Sequence, residues 1–337
     1  MDHPVAIGFG CILLGGAMQG AFALPMKYQR QWRWENTWLV YSAMGMLLLP
    51  WTFALASVPG LGEVYRQAGW QPILAAAVFG FGWGVGSVFC GLSIAALGIA
   101  LASAIFLGLA AALGSLIPLA LQMTASIGSD SVRFTLVGVT VMLAGIAICA
   151  RAGMMRDAHL TSVPGSRGML FGMLLAVASG VFSSAMNFGF VFGDAIVRNA
   201  REAGSSPPAA AYPLLAIVLS AGFLGNAGYC AYLLRKNRTW SLFVHSGGAT
   251  AWFLGLVMAL LVFGGFVLYG VGIAHLGALG PSAGWSAFLA TMILSSNLCG
   301  FLTGEWRDAG GGARRIMATG GAVLILAIVF LGLANRA

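Results

Sequence analysis

At 337 residues the chain is long enough for two soluble domains, but its composition excludes them. It is 59% hydrophobic and 8% charged, where soluble domains carry roughly 25% charged residues. A mean hydropathy of +0.91 and recurrent apolar runs long enough to cross ~30 Å of hydrocarbon make it a multi-span membrane protein. The formal net charge of +8 is no nucleic-acid footprint, because Lys and Arg stand singly or in small groups between the runs, where they report orientation.

Ten spans are expected, near 5–25, 36–58, 71–95, 99–125, 133–151, 167–193, 210–234, 250–274, 281–303 and 315–334. All must be helical, since lipid offers the backbone no other partner. The first is read as a retained span and not a cleaved signal, because Met1, Asp2, His3 and Pro4 supply no positive leader. Spans three and four form a hairpin, Val78 to Ala125, joined only by Ala96-Leu97-Gly98. Its first arm carries Gly80, Gly82, Gly84 and Gly86, and its second Ala100, Ala104, Gly108 and Ala112. Small residues four apart let helix backbones approach closely, which is how helices pack in lipid. A polar connection at 152–166, with Arg156, Asp157, His159 and Pro164, then divides the chain into halves 1–151 and 167–337.

The halves look like copies. At an offset of 179, residues 86–104 meet 265–283 with nine identities in nineteen positions, among them Gly86/Gly265, Gly91/Gly270, Leu97/Leu276, Gly98/Gly277 and Ser103/Ser282. Five spans is an odd number, so the second copy enters the membrane inverted, an arrangement characteristic of secondary transporters. The fold class expected is therefore all-α integral membrane, ten helices in a 5+5 inverted repeat.

Connections one, three, five, seven and nine hold 12 Lys and Arg, and the other side holds 5, namely Arg66, Arg133, Arg198, Arg201 and Arg336. The positive-inside rule then places both termini outside the cytoplasm. Trp32, Trp34, Trp38, Trp51, Trp70, Trp240 and Trp306 fall near span ends, as an interfacial belt should. Trp83 lies mid-span among the glycines, and Trp285 about one turn into span nine. The five cysteines lie in apolar runs without redox or zinc spacing, and the four histidines are scattered. No metal site, disulfide or cofactor is expected.

Polar groups inside spans are costly unless paired or facing a watered cavity. The mid-span set is Gln19, Trp83, Ser87, Gln122, Ser183, Ser184, Asn187, Asn226, Tyr269, Ser286, Ser295, Ser296 and Asn297. Each could instead tie two helices together. Every acid lies at a span end or in a connection, and Glu35, Asp194 and Glu305 are the candidates for proton coupling.

Three stretches carry a family resemblance: Trp32-Arg33-Trp34-Glu35-Asn36-Thr37-Trp38, Phe79–Gly91 with Trp83, and Glu305-Trp306-Arg307-Asp308-Ala309-Gly310. Together with Leu97-Gly98 they resemble the L-rhamnose–proton symporter (RhaT-like) family of the drug/metabolite transporter superfamily. The resemblance implies ten helices in a 5+5 inverted repeat and uptake of a deoxysugar with a proton across a bacterial inner membrane. It marks Trp34, Glu35, Trp83, Glu305 and Trp306 as matched positions without giving their roles.

The function expected is secondary transport of a small neutral sugar by alternating access, with the proton gradient as energy source. Trp83 and Trp285 would stack on the sugar's apolar face, while Gln19, Asn187 and Tyr269 bond its hydroxyls, with Ser87 nearby. An uncoupled facilitator or an exporter is the alternative within this class. A membrane enzyme would need several polar groups converging on one substrate position, and a membrane interaction protein would not need the inverted repeat.

Overall fold

A computed structural model of the protein describes residues 3–122, 129–157, 166–245 and 248–334. His159, Pro164, Arg336 and the side chains of Gln122 and Arg167 lie outside the described residues. The described residues form helices and turns without strands: α1 His3–Ala21, a 3-10 turn Leu24–Tyr28, α2 Trp34–Ser42, α3 Leu49–Ser57, α4 Leu61–Ala68, α5 Trp70–Leu97, α6 Ile99–Gln122 and α7 Asp130–Asp157. There follow α8 Ser166–Phe192, α9 Asp194–Glu202, α10 Pro207–Asn237, α11 Leu242–His245, α12 Ala249–Leu276, α13 Trp285–Leu302 and α14 Gly311–Ala334. Helices α2 and α3 are one span, joined through a wide turn Ala43–Leu48 just before Pro50. Proline removes a helical donor, and the local widening absorbs the misfit.

Nine helical stretches among the described residues are long and apolar enough to cross a membrane. One of them, Ala249–Leu302, has 54 residues and would measure ~80 Å if straight, far beyond a bilayer core of ~30 Å. The chain reverses at Gly277, whose φ of 61° suits glycine, and the stretch holds α12 and α13. The expected spans eight and nine thus merge by composition because tight helical turns at Gly277–Leu279 and Gly280–Gly284 leave no polar connection between them. Gly98, the repeat partner of Gly277, also has positive φ, at 82°.

Other boundaries shift for identifiable reasons. Helix α7 runs on to Asp157, past the expected end at 151, because Ala152 and Gly153 are buried and Gly153 packs against Ala100. The short helices α4 and α9 were not expected. They pack against each other, and their signal was present in the spacing of Leu61, Val64, Tyr65 and Ala68 and of Ile196, Val197 and Ala200.

Close backbone approach organises the bundle. A methyl group at Gly80 or Gly84 of α5 would strike the carbonyls of Val218 or Gly222 on α10, while Gly82 and Gly86 face Phe182 on α8. On α1, Gly15 lies against the carbonyl of Gly265 on α12, and Gly16 and Gly20 lie against those of Phe288 and Met292 on α13. The main helix contacts are α5 with α8 and α10, α1 with α12 and α13, α6 with α7 and α8, and α7 with α14. Exchanging α1 with α8, α2–α3 with α10, α5 with α12, α6 with α13 and α7 with α14 maps these contacts onto contacts that are also present. Gly84→Ala should cost about 1–3 kcal/mol through overpacking, read as a lowered melting temperature of the purified protein. Gly91→Ala, whose methyl meets no atom within 4 Å, should leave it unchanged.

Candidate functional site

Three of the six expected binding residues meet in one buried cluster. Pro118 interrupts α6 and, lacking an N–H, leaves the carbonyl of Gly114 without its helical donor. Asn187 of α8 supplies one: its Nδ2 donates to the Gly114 carbonyl at 2.6 Å and to the Pro281 carbonyl at 2.7 Å. Its Oδ1 accepts from the Tyr269 hydroxyl of α12. The Trp285 indole lies over Gly114 and donates to the Ala110 carbonyl at 3.0 Å. One face of Trp285 stacks on Phe288 at 5.8 Å between ring centres, and Tyr269 packs edge-on against Phe190 at 5.1 Å. Asn187 and Tyr269 are fully buried and Trp285 is 3% exposed. Here the hydrogen bonds link α6, α8, α12 and the turn before α13, and the amide's two donors are spent on protein.

Gln19 lies elsewhere. It faces a cavity of about 370 Å³ bounded by α1, α6, α7, α13 and α14. The side chain is 8% exposed, and its buried Oε1 has no hydrogen-bond partner. Ser103, Ser296 and Asn297 also line this cavity, and so do Ala100, Ala104 and Leu107 of α6. Its mouth lies at the end of the bundle where Arg156, Glu305 and Trp306 stand. A second cavity, of about 410 Å³, lies at the opposite end of α13, between α8, α9, α10 and α12, and includes Asp194, Arg198 and Arg201. Phe190 and Pro281 belong both to its wall and to the Asn187 cluster. On α6, residues 99–107 line the first cavity and 110–114 meet the cluster; on α13, 292–297 line the cavity and 285–288 the cluster. The cluster is thus a plug between two vestibules.

Trp83 and Ser87 form a third group and line neither cavity. Trp83 is half-buried, edge-on to Phe266 at 5.6 Å and packed over Gly222. Ser87 donates to the Gly84 carbonyl at 2.7 Å and lies 3.0 Å from Asn226 Oδ1, which also accepts from the Trp38 indole at 2.9 Å. Trp38 and Trp51 sit near span ends as expected, but their indoles bond inward across the bundle, Trp51 to Ser220 at 2.8 Å. A polar partner 188 residues away for Trp38 and 169 for Trp51 draws them in, which span-end counting does not register.

The three acids differ in setting. Glu35 is 4% exposed and accepts from Asn237 Nδ2 at 2.9 Å and Thr239 Oγ1 at 2.8 Å, while Asn36 donates to the Thr239 carbonyl at 3.0 Å. It pins the start of α2 to the turn after α10. Asp194 opens α9 and pairs with Arg198 one turn on, both about half exposed. Glu305 joins more distant parts: it pairs with Lys27, from the turn after α1, and its Oε2 lies 3.6 Å from Arg156 of α7. Arg156 also bonds Asp157 at 2.7 Å and lies 4.9 Å above the Trp306 ring.

Comparison with known proteins fits this architecture. The family model for the L-rhamnose-proton symport protein (RhaT) matches residues 1–337. Curated proteins named L-rhamnose-proton symporter, from Salmonella paratyphi B and Salmonella typhimurium, are each 28% identical over 345 residues, covering 99% of this chain and 100% of theirs. A solved structure described as "Crystal structure of protein" superposes with a TM-score of 0.53 at 19% identity, covering 99% of this chain and 97% of that one, a likeness of fold. With the family model matched from end to end, the chain belongs to the L-rhamnose-proton symport protein (RhaT) family.

Proposed function

We propose that the protein takes up a small neutral sugar, L-rhamnose or a related deoxysugar, together with a proton, by alternating access across a bacterial inner membrane. The observation that carries this reading is the whole-length family match, joined to relatives whose own name is L-rhamnose-proton symporter. The geometry agrees with it. A vestibule open at one end and closed by a hydrogen-bonded plug toward the other is one half of an alternating-access cycle. The exchange symmetry of the helix contacts supports the 5+5 inverted repeat, with halves 1–151 and 167–337 joined by 152–166.

On the positive-inside orientation both termini are periplasmic, the Gln19 cavity opens to the cytoplasm, and the Asn187 plug closes the periplasmic side. The protein needs no catalytic group and no cofactor in this scheme; the proton gradient supplies the energy. Glu305 is the coupling candidate at the cavity mouth, because its carboxylate holds Lys27 and Arg156 together and protonation would release both. Asp194 and Glu35 serve as candidates of lower rank, one in an exposed pair and the other committed to the α10 turn. Trp83 and Ser87 would join the solute path only after the helices move, since they stand outside both vestibules in this conformation.

Uptake of labelled L-rhamnose into proteoliposomes should be stimulated by an inward proton gradient. Uptake indifferent to that gradient would leave a facilitator in place of a symporter, and no uptake of any sugar in a panel would overturn the reading. Glu305→Gln, which keeps shape and removes charge, should abolish proton stimulation; a variant stimulated like wild type removes Glu305 from coupling. Asn187→Leu should destabilise the protein by about 1–3 kcal/mol for each carbonyl left unpaired, seen as a lower melting temperature before any sugar is added.

A further inference from the structure

Many polar groups inside the spans are bonded across helix seams: Ser115 with Ser286 at 2.5 Å, Ser179 to the Gly86 carbonyl at 2.9 Å, and Ser295 to the Ala17 carbonyl at 2.8 Å. Several on the wall of the 370 Å³ cavity keep unpaired atoms. The Gln19 amide is unbonded although the residue is 8% exposed. Among the described residues the Ser103 and Ser296 hydroxyls have no hydrogen-bond partner. Asn297 spends its Nδ2 on the Ile293 carbonyl at 2.9 Å, which leaves its Oδ1 free to accept.

An unbonded amide in the interior costs more than an apolar residue of the same shape, because its hydration is lost and nothing replaces it. Asn36, Thr37 and Ser205 also carry buried unpaired oxygens, but of these four residues Gln19 is the one that lines either cavity. We infer that the sugar is held in this cavity, with Gln19 as the residue that reads a pair of neighbouring hydroxyls, and with Ser103, Ser296 and Asn297 completing its polar edge. This rests on the sugar-uptake reading above. A primary amide can accept from one hydroxyl and donate to the next, and Gln19 can do so for a vicinal diol once its Oε1, here turned toward Gly265 of α12, swings to the cavity. Beside Ser103 on the same face of α6, Ala100, Ala104 and Leu107 also line the cavity. They give a smooth apolar wall for the C–H face or methyl group of the ring.

The cavity volume is near the lower end of ligand sites, which run roughly 300–1,000 Å³, and suits a single sugar unit. Its charged lining groups, Arg156 and Glu305, stand at the mouth and pair with each other, so the interior is fitted to a neutral solute. The Asn187, Tyr269 and Trp285 side chains, whose hydrogen bonds are made within the protein, close the site instead of reading the sugar.

The test is calorimetric binding of L-rhamnose, and of a monodeoxy analogue lacking one ring hydroxyl, to the purified full-length protein. Gln19→Leu should weaken L-rhamnose binding about tenfold or more, the equivalent of losing one good hydrogen bond. Its melting temperature should be unchanged or higher, because an unpaired amide has been removed. Wild type should discriminate between the two sugars, and Gln19→Leu should lose that discrimination. Ser103→Ala gives a second, milder variant should Gln19→Leu fail to fold, and is expected to weaken binding several-fold. Thr140→Val, which alters an outward hydroxyl bonded to its own helix at 2.8 Å, is the control. Wild-type affinity in both Gln19→Leu and Ser103→Ala would overturn the inference while leaving the sugar reading intact. A wild type that binds no sugar of the panel would overturn the reading itself, and the inference with it.

Discussion

Helices of this protein meet with almost nothing between their backbones, and the rest of the structure depends on that closeness. Lipid removes the apolar driving force that packs soluble helices, so association rests on surface fit and on polar groups that find partners. Gly80 and Gly84 let α5 lie on the carbonyls of α10, and Gly15, Gly16 and Gly20 let α1 lie on those of α12 and α13. Both of these glycine-bearing helices belong to the first half of the chain and lie on helices of the second. Contacts between halves, more than within them, hold the bundle together. A molecule built this way can rock about its seams without exposing a large apolar core, because the seams are thin.

Polar satisfaction then separates what closes the molecule from what the molecule holds. The Pro118 break in α6 creates a free carbonyl at Gly114, and Asn187 answers it from another helix. Once that bond, the Pro281 bond and the Tyr269 bond are made, the amide has no donor left for a solute. Gln19 is of the same chemical kind and nearly as buried, yet it has no partner. Since an unmade hydrogen bond costs more than a made one returns, the two amides cannot be doing the same job. One is a fastener between elements, and the other is the amide proposed above to read the sugar.

The spans were legible in the sequence because a 20-residue apolar run in lipid has one solution. The expected duplication pairs Leu97-Gly98 with Leu276-Gly277, and both glycines answer the same steric demand, a reversal at positive φ. What could not be read was partnership. Asn187 and Gly114 are 73 residues apart and Trp38 and Asn226 are 188 apart, and no local period encodes such pairs. Mid-span polarity alone therefore placed Gln19, Asn187, Tyr269 and Trp285 in one site, where packing separates the first from the other three. Amphipathic α4 and α9 were missed for another reason: their helical spacing is short and stands beside stronger apolar runs.

The placement of the acids follows from the same accounting. A carboxylate at mid-span would face a cost of several kcal/mol unless paired, and every acid in this chain stands at a span end or in a connection. Among them Glu305 touches a cavity and two cations, Lys27 of the first half and Arg156 at the start of the connection. Gly300 makes room for it, since a methyl there would meet its carboxylate at 2.8 Å. Trp306 beside it is buried, stacked on Phe301 and roofed by the Arg156 guanidinium. The aromatic contact does not depend on the charge of Glu305, whereas the two ion pairs do. On the proposed coupling role, a proton arriving at this carboxylate would loosen the link between halves while leaving the Trp306 stacking in place. A group that fastens in one charge state and releases in the other has to sit where water can reach it, and the mouth of the cavity is such a place.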